Sequence, residues 1–196
     1  NRVVNTSDLY FTPVKGNDPN SVIMRLNTGE GSHLDFTYTL KPDDYMVQYQ
    51  ILGTGLNGVL APSTNALDLF QDIRQQEKGR KFEDRYVTLN YKFMADDVEH
   101  LSESKSDSKQ IPNRLKWIGY KDMFFSTVLI SQEGFEATTL DSKAIPEGDV
   151  LKQFKTTASV PFDLQGKEAT NLSLYFGPNK FALLKSFDKG VSSWFR

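Results

Sequence analysis

Apolar and polar residues alternate with a period of two along much of this chain. After His33, the residues Leu34, Phe36, Tyr38 and Leu40 alternate with Asp35, Thr37 and Thr39, which predicts a strand with one buried face and one wet face. Pro42-Asp43-Asp44 then supplies turn chemistry, with proline presetting a backbone angle and aspartate bonding its own chain. The pattern resumes with Tyr45, Val47, Tyr49 and Ile51 against Met46, Gln48 and Gln50. Together the two runs read as an antiparallel hairpin. A third run sets Val87, Leu89, Tyr91 and Phe93 against Thr88, Asn90 and Lys92. Further strands are expected at residues 10–11, 21–26, 67–73, 116–120, 124–130, 135–139, 154–160 and 172–176. Residues 124–130, Phe-Phe-Ser-Thr-Val-Leu-Ile, are nearly continuous in apolar and β-branched side chains, the mark of a central strand covered on both faces.

Between the strands, residues 78–85 read as a charged connection. Residues 96–113 carry Ser102, Ser104, Ser106 and Ser108 among Lys, Asp and Glu, the composition of a polar, partly disordered loop. No repeat and no linker interrupts the chain, so residues 1–196 are expected to form one domain. One amphipathic helix is expected near the end. Gly177-Pro178 precedes residues 179–189 and Gly190 follows, matching the preference for proline at the first helical position and glycine past the last. Phe181, Leu184, Phe187 and Val191 recur every three or four residues, which gives one apolar stripe to pack on the sheet. Part of this helix, stripe residues included, and the tail beyond it are the candidate partner-contact surface: Lys180, Phe181, Leu184, Lys185, Asp188, Trp194 and Phe195. Such aromatic and basic residues also suit a membrane interface.

Composition agrees with an all-β chain. Phe and Tyr number 14 and 8 in 196 residues, and aromatic side chains favour pleated, half-buried surfaces. A domain of this length buries roughly 70% of the surface of its unfolded chain. The net charge of −2 provides no basic field for nucleic acid, and the aromatics are not interleaved with a basic patch. Cysteine is absent, which removes disulfides, thiol nucleophiles and Cys-ligated zinc, and leaves the redox compartment undecided. No stretch approaches the run of about 18 apolar residues that reads as a membrane-spanning helix. From Asn1 the chain has no signal-peptide pattern, so it is expected to be a segment of something longer, with any membrane span outside it.

Catalytic patterns are sought and not found. His33 and His100 are the only histidines. The acidic run Asp96-Asp97-Val98-Glu99-His100 lacks the spacing of a zinc or calcium site and reads as a solvated surface. No Gly-x-Ser-x-Gly elbow accompanies either histidine. Asp35, Asp68 and Glu83 are carboxylates that could pair for glycoside chemistry, but their expected role is a solvated face. Gly53-Thr54-Gly55-Leu56-Asn57-Gly58 lacks the Lys-Ser/Thr ending of a phosphate loop and reads as a strand connection. No cofactor, metal or catalytic residue is assigned, and the chain is not expected to be an enzyme.

Two blocks carry a family resemblance. Residues 117–130, Trp-Ile-Gly-Tyr-Lys-Asp-Met-Phe-Phe-Ser-Thr-Val-Leu-Ile, and residues 174–178, Leu-Tyr-Phe-Gly-Pro, resemble the large periplasmic domain of the bacterial YidC membrane protein insertases. Residues 36–49, with Thr39-Leu40-Lys41 and Asp44-Tyr45, are similar to a hairpin of that domain. Asp68-Leu69 and Ile73-Arg74-Gln75-Gln76-Glu77-Lys78-Gly79 resemble its Bacteroidetes branch. The resemblance runs from about Asn27 to Lys189. It implies a β-supersandwich related to galactose mutarotases, held on the periplasmic side of the inner membrane between two membrane helices that lie outside this chain. It also implies partners: Sec translocon components of the SecD/SecF kind, and nascent membrane proteins. The N-terminal part of the family domain is expected to be shortened. The family's insertion groove lies among membrane helices, so no groove residue carries over. The alternatives are a mutarotase-like carbohydrate-binding or carbohydrate-active domain, and a free-standing periplasmic chaperone-like module.

Overall fold

Antiparallel strands carry the fold in this computed structural model, which describes residues 4–95 and 98–180. The chain is all-β. It divides into two units, Asn1–Asn65 with Pro161–Leu172, and Ala66–Val160 with Ser173–Arg196.

The first unit is a meander of β1 (Thr12–Lys15), β2 (Ser21–Gly29), β3 (Ser32–Leu40) and β4 (Met46–Thr54). The expected hairpin is present, with Tyr38 opposite Tyr49 and Phe36 opposite Ile51. Asp43 turns it with a φ of 57°, a left-handed conformation that aspartate tolerates better than most residues, and the Asp44 carboxylate accepts the Met46 N–H at 3.0 Å. Aromatic rings line one face, Tyr38 stacked on Tyr49 at 4.9 Å and Phe36 on Phe11 at 5.2 Å.

Alternation misjudges several residues of the hairpin, Tyr45 and Met46 at the start of β4 being reversed, exposed and buried respectively. Asp35, expected on the wet face, is buried, while Leu40 is exposed. Arg25 lies directly across the β2–β3 ladder from Asp35 and donates to both its oxygens at 2.8 and 2.7 Å. A bidentate partner is what allows a carboxylate to leave water. The hydrogen bond to Asp35 raises the Arg25 guanidinium above its ordinary pKa.

The glycine-rich segment after β4 is a packed corner. Gly53 is approached so closely by Leu56 and Phe162 that a Cβ there would lie 2.7 Å from Leu56 Cδ1. Leu56 is fully buried, and its N–H donates to the Leu164 carbonyl at 3.0 Å.

The second unit holds β5 (Ala66–Arg74), β6 (Thr88–Phe93), β7 (Val98–His100), β8 (Asp107–Ile111), β9 (Leu115–Lys121), β10 (Phe125–Ala144), β11 (Val150–Ser159) and most of β12 (Thr170–Pro178). Within it the strands run in the orders β12-β10-β9-β6-β7 and β8-β10-β11-β5. The 20-residue β10 serves both because its pairing register shifts between Ile130 and Phe135 and again between Glu136 and Thr139. Gly134 and Ala137 take positive φ at these breaks, and such bulges bend a strand. The two layers meet at Tyr120, whose hydroxyl bonds Thr156 Oγ1 at 2.6 Å and whose ring packs on Phe154. Burial pushes the Tyr120 pKa far above that of a free phenol. Trp117, Tyr91, Phe135, Val128 and Leu140 complete a dry core.

Three expectations change in this unit. The polar loop expected at 96–113 contains two strands, β7 and β8, with Asp96 and Asp97 outside the described residues. The charged connection at 78–85 is a bolt. Arg80 donates to the carbonyls of Ile145, Gly148 and Val150, and the buried Glu83 carboxylate accepts the N–H groups of Gln76 and Glu77 at 2.9 and 3.0 Å. Gly177-Pro178, read as a helix start, instead closes β12. Of the helix expected at 179–189, only Asn179 and Lys180 are described, and neither is helical.

Candidate functional site

Phe124 lies in the bend that joins β9 to β10, and Phe125 is the first residue of β10. Both are exposed, at 45% and 56%, and Phe176 on the neighbouring β12 is 49% exposed. Of the run expected at 124–130, residues 125–130 form a central strand between β9 and β12, and only from Ser126 onward is it covered. Phe176 faces outward because its neighbours Tyr175 and Gly177 are turned inward and buried.

A network of short polar contacts holds these rings in place. Asp122 Oδ1 accepts the N–H groups of Phe124 and Phe125 at 2.7 and 2.6 Å, closing the β9–β10 turn. Asn179 then ties the end of β12 to that turn. Its N–H donates to the Phe124 carbonyl at 2.7 Å, its Nδ2 to the Asp122 carbonyl at 3.0 Å, and its Oδ1 accepts from Ser126 Oγ at 2.6 Å. Tyr175 donates its hydroxyl to the Pro178 carbonyl at 2.8 Å. Burial lowers the Lys121 ammonium below its ordinary pKa at the same turn. The result is an apron of three exposed aromatics along a braced stretch of main chain, Phe124 in the bend, Phe125 at the start of β10 and Phe176 near the end of β12, close to where Lys180 leaves the sheet.

Fully burying one phenylalanine is worth about 1.5–3 kcal/mol, so each of these rings leaves part of that stabilisation available to a partner that covers it. Exposed apolar patches of this kind mark interaction surfaces. Of the expected contact residues, Lys180 is exposed beside this apron. Phe181, Leu184, Lys185, Asp188, Trp194 and Phe195 lie outside the described residues. Sequence reading missed Phe124, Phe125 and Phe176, because the adjacent Phe pair read as the start of a covered strand.

The residues considered for catalysis are each engaged structurally. Asp35 is held by Arg25 and has His33 Nε2 at 3.7 Å. Asp68 accepts from Thr157 at 2.6 Å and pairs with Lys155. His100 Nδ1 lies 2.8 Å from the Leu101 carbonyl, and Glu99 accepts from Tyr91 at 2.6 Å. Among the described residues, no group of three or more His, Asp or Glu is placed to hold a metal ion. No helix among them is long and apolar enough to cross a membrane.

A family profile, the YidC periplasmic domain, matches residues 1–193. Among curated proteins, the chain is 97% identical over 195 residues to the membrane protein insertase YidC of Parabacteroides distasonis, an alignment covering 98% of this chain and 31% of that protein. The insertase of Azobacteroides pseudotrichonymphae is 47% identical over 96% of the chain, and that of Porphyromonas gingivalis 38% identical over 98%, each aligned over 31% of its own length. The chain thus spans about a third of the length of the relatives it matches, at 31%. An all-β fold with a braced aromatic apron, matched along nearly its whole length, belongs to the YidC periplasmic domain family.

Proposed function

We propose that this chain is the periplasmic module of an inner-membrane insertase, and that it serves insertion by docking rather than by turnover. The observation that carries the reading is the aromatic apron of Phe124, Phe125 and Phe176, braced by Asn179 and Asp122. Its partners are Sec translocon components of the SecD/SecF kind, or the periplasmic parts of nascent membrane proteins. Lys180 extends the surface with a positive charge, and the contact runs on through Phe181, Leu184, Lys185, Asp188, Trp194 and Phe195. Residues 1–196 act as one periplasmic domain in this reading. The sugar-active alternative is not favoured, because Asp35, Asp68 and Glu83 are each bound to structural partners.

The test is site-specific photo-crosslinking in cells expressing the complete insertase. A photoreactive residue at Phe125 or Phe176 is expected to capture a Sec protein or a nascent chain. The same residue at Val59, an exposed position of the first unit, serves as the control. Capture at Val59 equal to that at Phe125 and Phe176 would refute the docking surface.

A further inference from the structure

Sheet edges expose rows of unpaired main-chain groups, and proteins usually blunt them with short strands, proline, lysine or bulges. Three outer strands here follow that rule. β1 is four residues long with Pro13 and Lys15, β7 has three residues, and β8 has five with Lys109 at its centre. β5 does not follow it. It runs for nine residues, Ala66–Arg74, without proline or lysine. It pairs with β11 alone, in unbroken register from Ile73 to Ala66.

In an antiparallel ladder every second residue turns its N–H and C=O away from the partner strand. Among the described residues, the one hydrogen bond to a β5 main-chain group from outside the β11 ladder is from Gln76 Nε2 to the Arg74 carbonyl, at the strand's very end. Two of the three charges on β5 are engaged within the unit, and the third, Asp72, is exposed beside Phe70 in the groove. Asp68 is turned toward β11, where it bonds Thr157 and Lys155, and Arg74 pairs with Asp149. In the middle of the strand, Phe70 is 66% exposed. One side of its ring is occupied by the Lys155 ammonium at 5.5 Å. The ring lines an open groove shared with Asp72, Asp141, Lys143 and Gln153.

We infer that the β5 edge is a docking strand for an extended polypeptide, which adds alongside β5 and sets an apolar side chain against Phe70. The occupant is specified by the chemistry. A row of main-chain donors and acceptors at strand spacing is satisfied only by another extended main chain, while the adjoining groove reads alternate side chains. This extends the docking reading from a surface to the form of the client. It rests on a strand that shares no residue with the Phe124, Phe125 and Phe176 apron, so the two stand or fall separately.

The test titrates the full 196-residue chain with a labelled peptide of alternating valine and threonine, a lysine at each end. The same peptide N-methylated at every second residue is the comparison. The unmodified peptide is expected to bind and to slow hydrogen exchange at alternate amides of β5. The N-methylated peptide should bind about tenfold more weakly or worse, since it forfeits main-chain hydrogen bonds. Phe70→Lys should weaken binding about tenfold while leaving the urea midpoint in place, whereas Phe125→Ser should leave peptide binding unchanged. Equal binding of both peptides, unchanged exchange along β5, or no binding at millimolar peptide would each overturn the inference. So would concentration-dependent dimerisation that protects the β5 amides, since a second copy of the chain would then be the occupant.

Discussion

Replacing Lys152 with methionine tests how the second unit is held together. Lys152 lies on β11, where the register to β5 shifts, and its side chain is 1% exposed. Nζ donates to the Val87 and Glu103 carbonyls at 2.6 Å each and to the Asp84 carbonyl at 3.3 Å, with the Asp84 carboxylate 3.7 Å away. An ammonium has three donors, and all three are used. Methionine keeps the volume and the apolar stem, so no large cavity opens, but the three carbonyls lose their donor. A buried, orphaned carbonyl costs about 1–3 kcal/mol. Only the Val87 contact is fully enclosed, and the other two are partly buried, so water recovers part of their loss. Burial holds the Lys152 pKa below the ordinary lysine value, opposed by Asp84 and Glu103, and methionine escapes that desolvation cost. The balance is a loss of about 3 kcal/mol, the low end of the range for breaking a buried ionic group.

Urea denaturation at pH 7, followed by the fluorescence of buried Trp117, should show a midpoint lowered by about 1 M or more with an unchanged slope. The control is Lys155→Met, three ladder positions away. Its side chain is 43% exposed and pairs with Asp68 at 3.8 Å, so about 1 kcal/mol or less is expected. A Lys152→Met midpoint matching that of Lys155→Met would refute the account of Lys152 as the tie between β11 and the residue 84–103 connections.

Other outcomes follow from the same reasoning. Phe135→Ala, at a fully buried position, should cost about 3–5 kcal/mol in urea denaturation, whereas Phe125→Ser should change stability by less than about 0.5 kcal/mol. Gly134→Ala should destabilise by about 1–3 kcal/mol, because φ is +89° and a Cβ would lie 2.4 Å from Arg114 Cγ. Above pH 10 stability should fall with rising pH. Burial raises the pKa of both Tyr49 and Tyr120, so the unfolded chain loses phenolic protons that the folded chain keeps. Thermal unfolding of Tyr120→Phe should show a shallower decline, and an identical one would refute the assignment.

Much of the strand inventory was legible because a half-buried strand writes its geometry as period two. The β3–β4 hairpin and β6 stand where alternation put them, β5 and β9 lie within a residue of their expected bounds, and β11 begins at Val150, four residues before its expected start. Elsewhere the local pattern misled for identifiable reasons. β7 and β8 were hidden because their side chains are polar, and they are strands by virtue of pairing with β6 and β10. Asp35, Glu83 and Lys152 look like surface charges, yet all three are buried against partners distant in sequence or against main-chain groups. The apron was legible only in part. The adjacent phenylalanines read as the start of a covered strand, but Phe124 falls in the bend before β10 and both rings lie in the open.

By itself, then, the order of residues determined the all-β class, most strand positions and the family, since these depend on local periodicity and on the succession of motifs. Tertiary structure decided which charged residues went inside, where the long β10 breaks its register, and which aromatics stayed out. Those outcomes depend on desolvation, and whether a group loses its water is set by whatever packs against it from far along the chain.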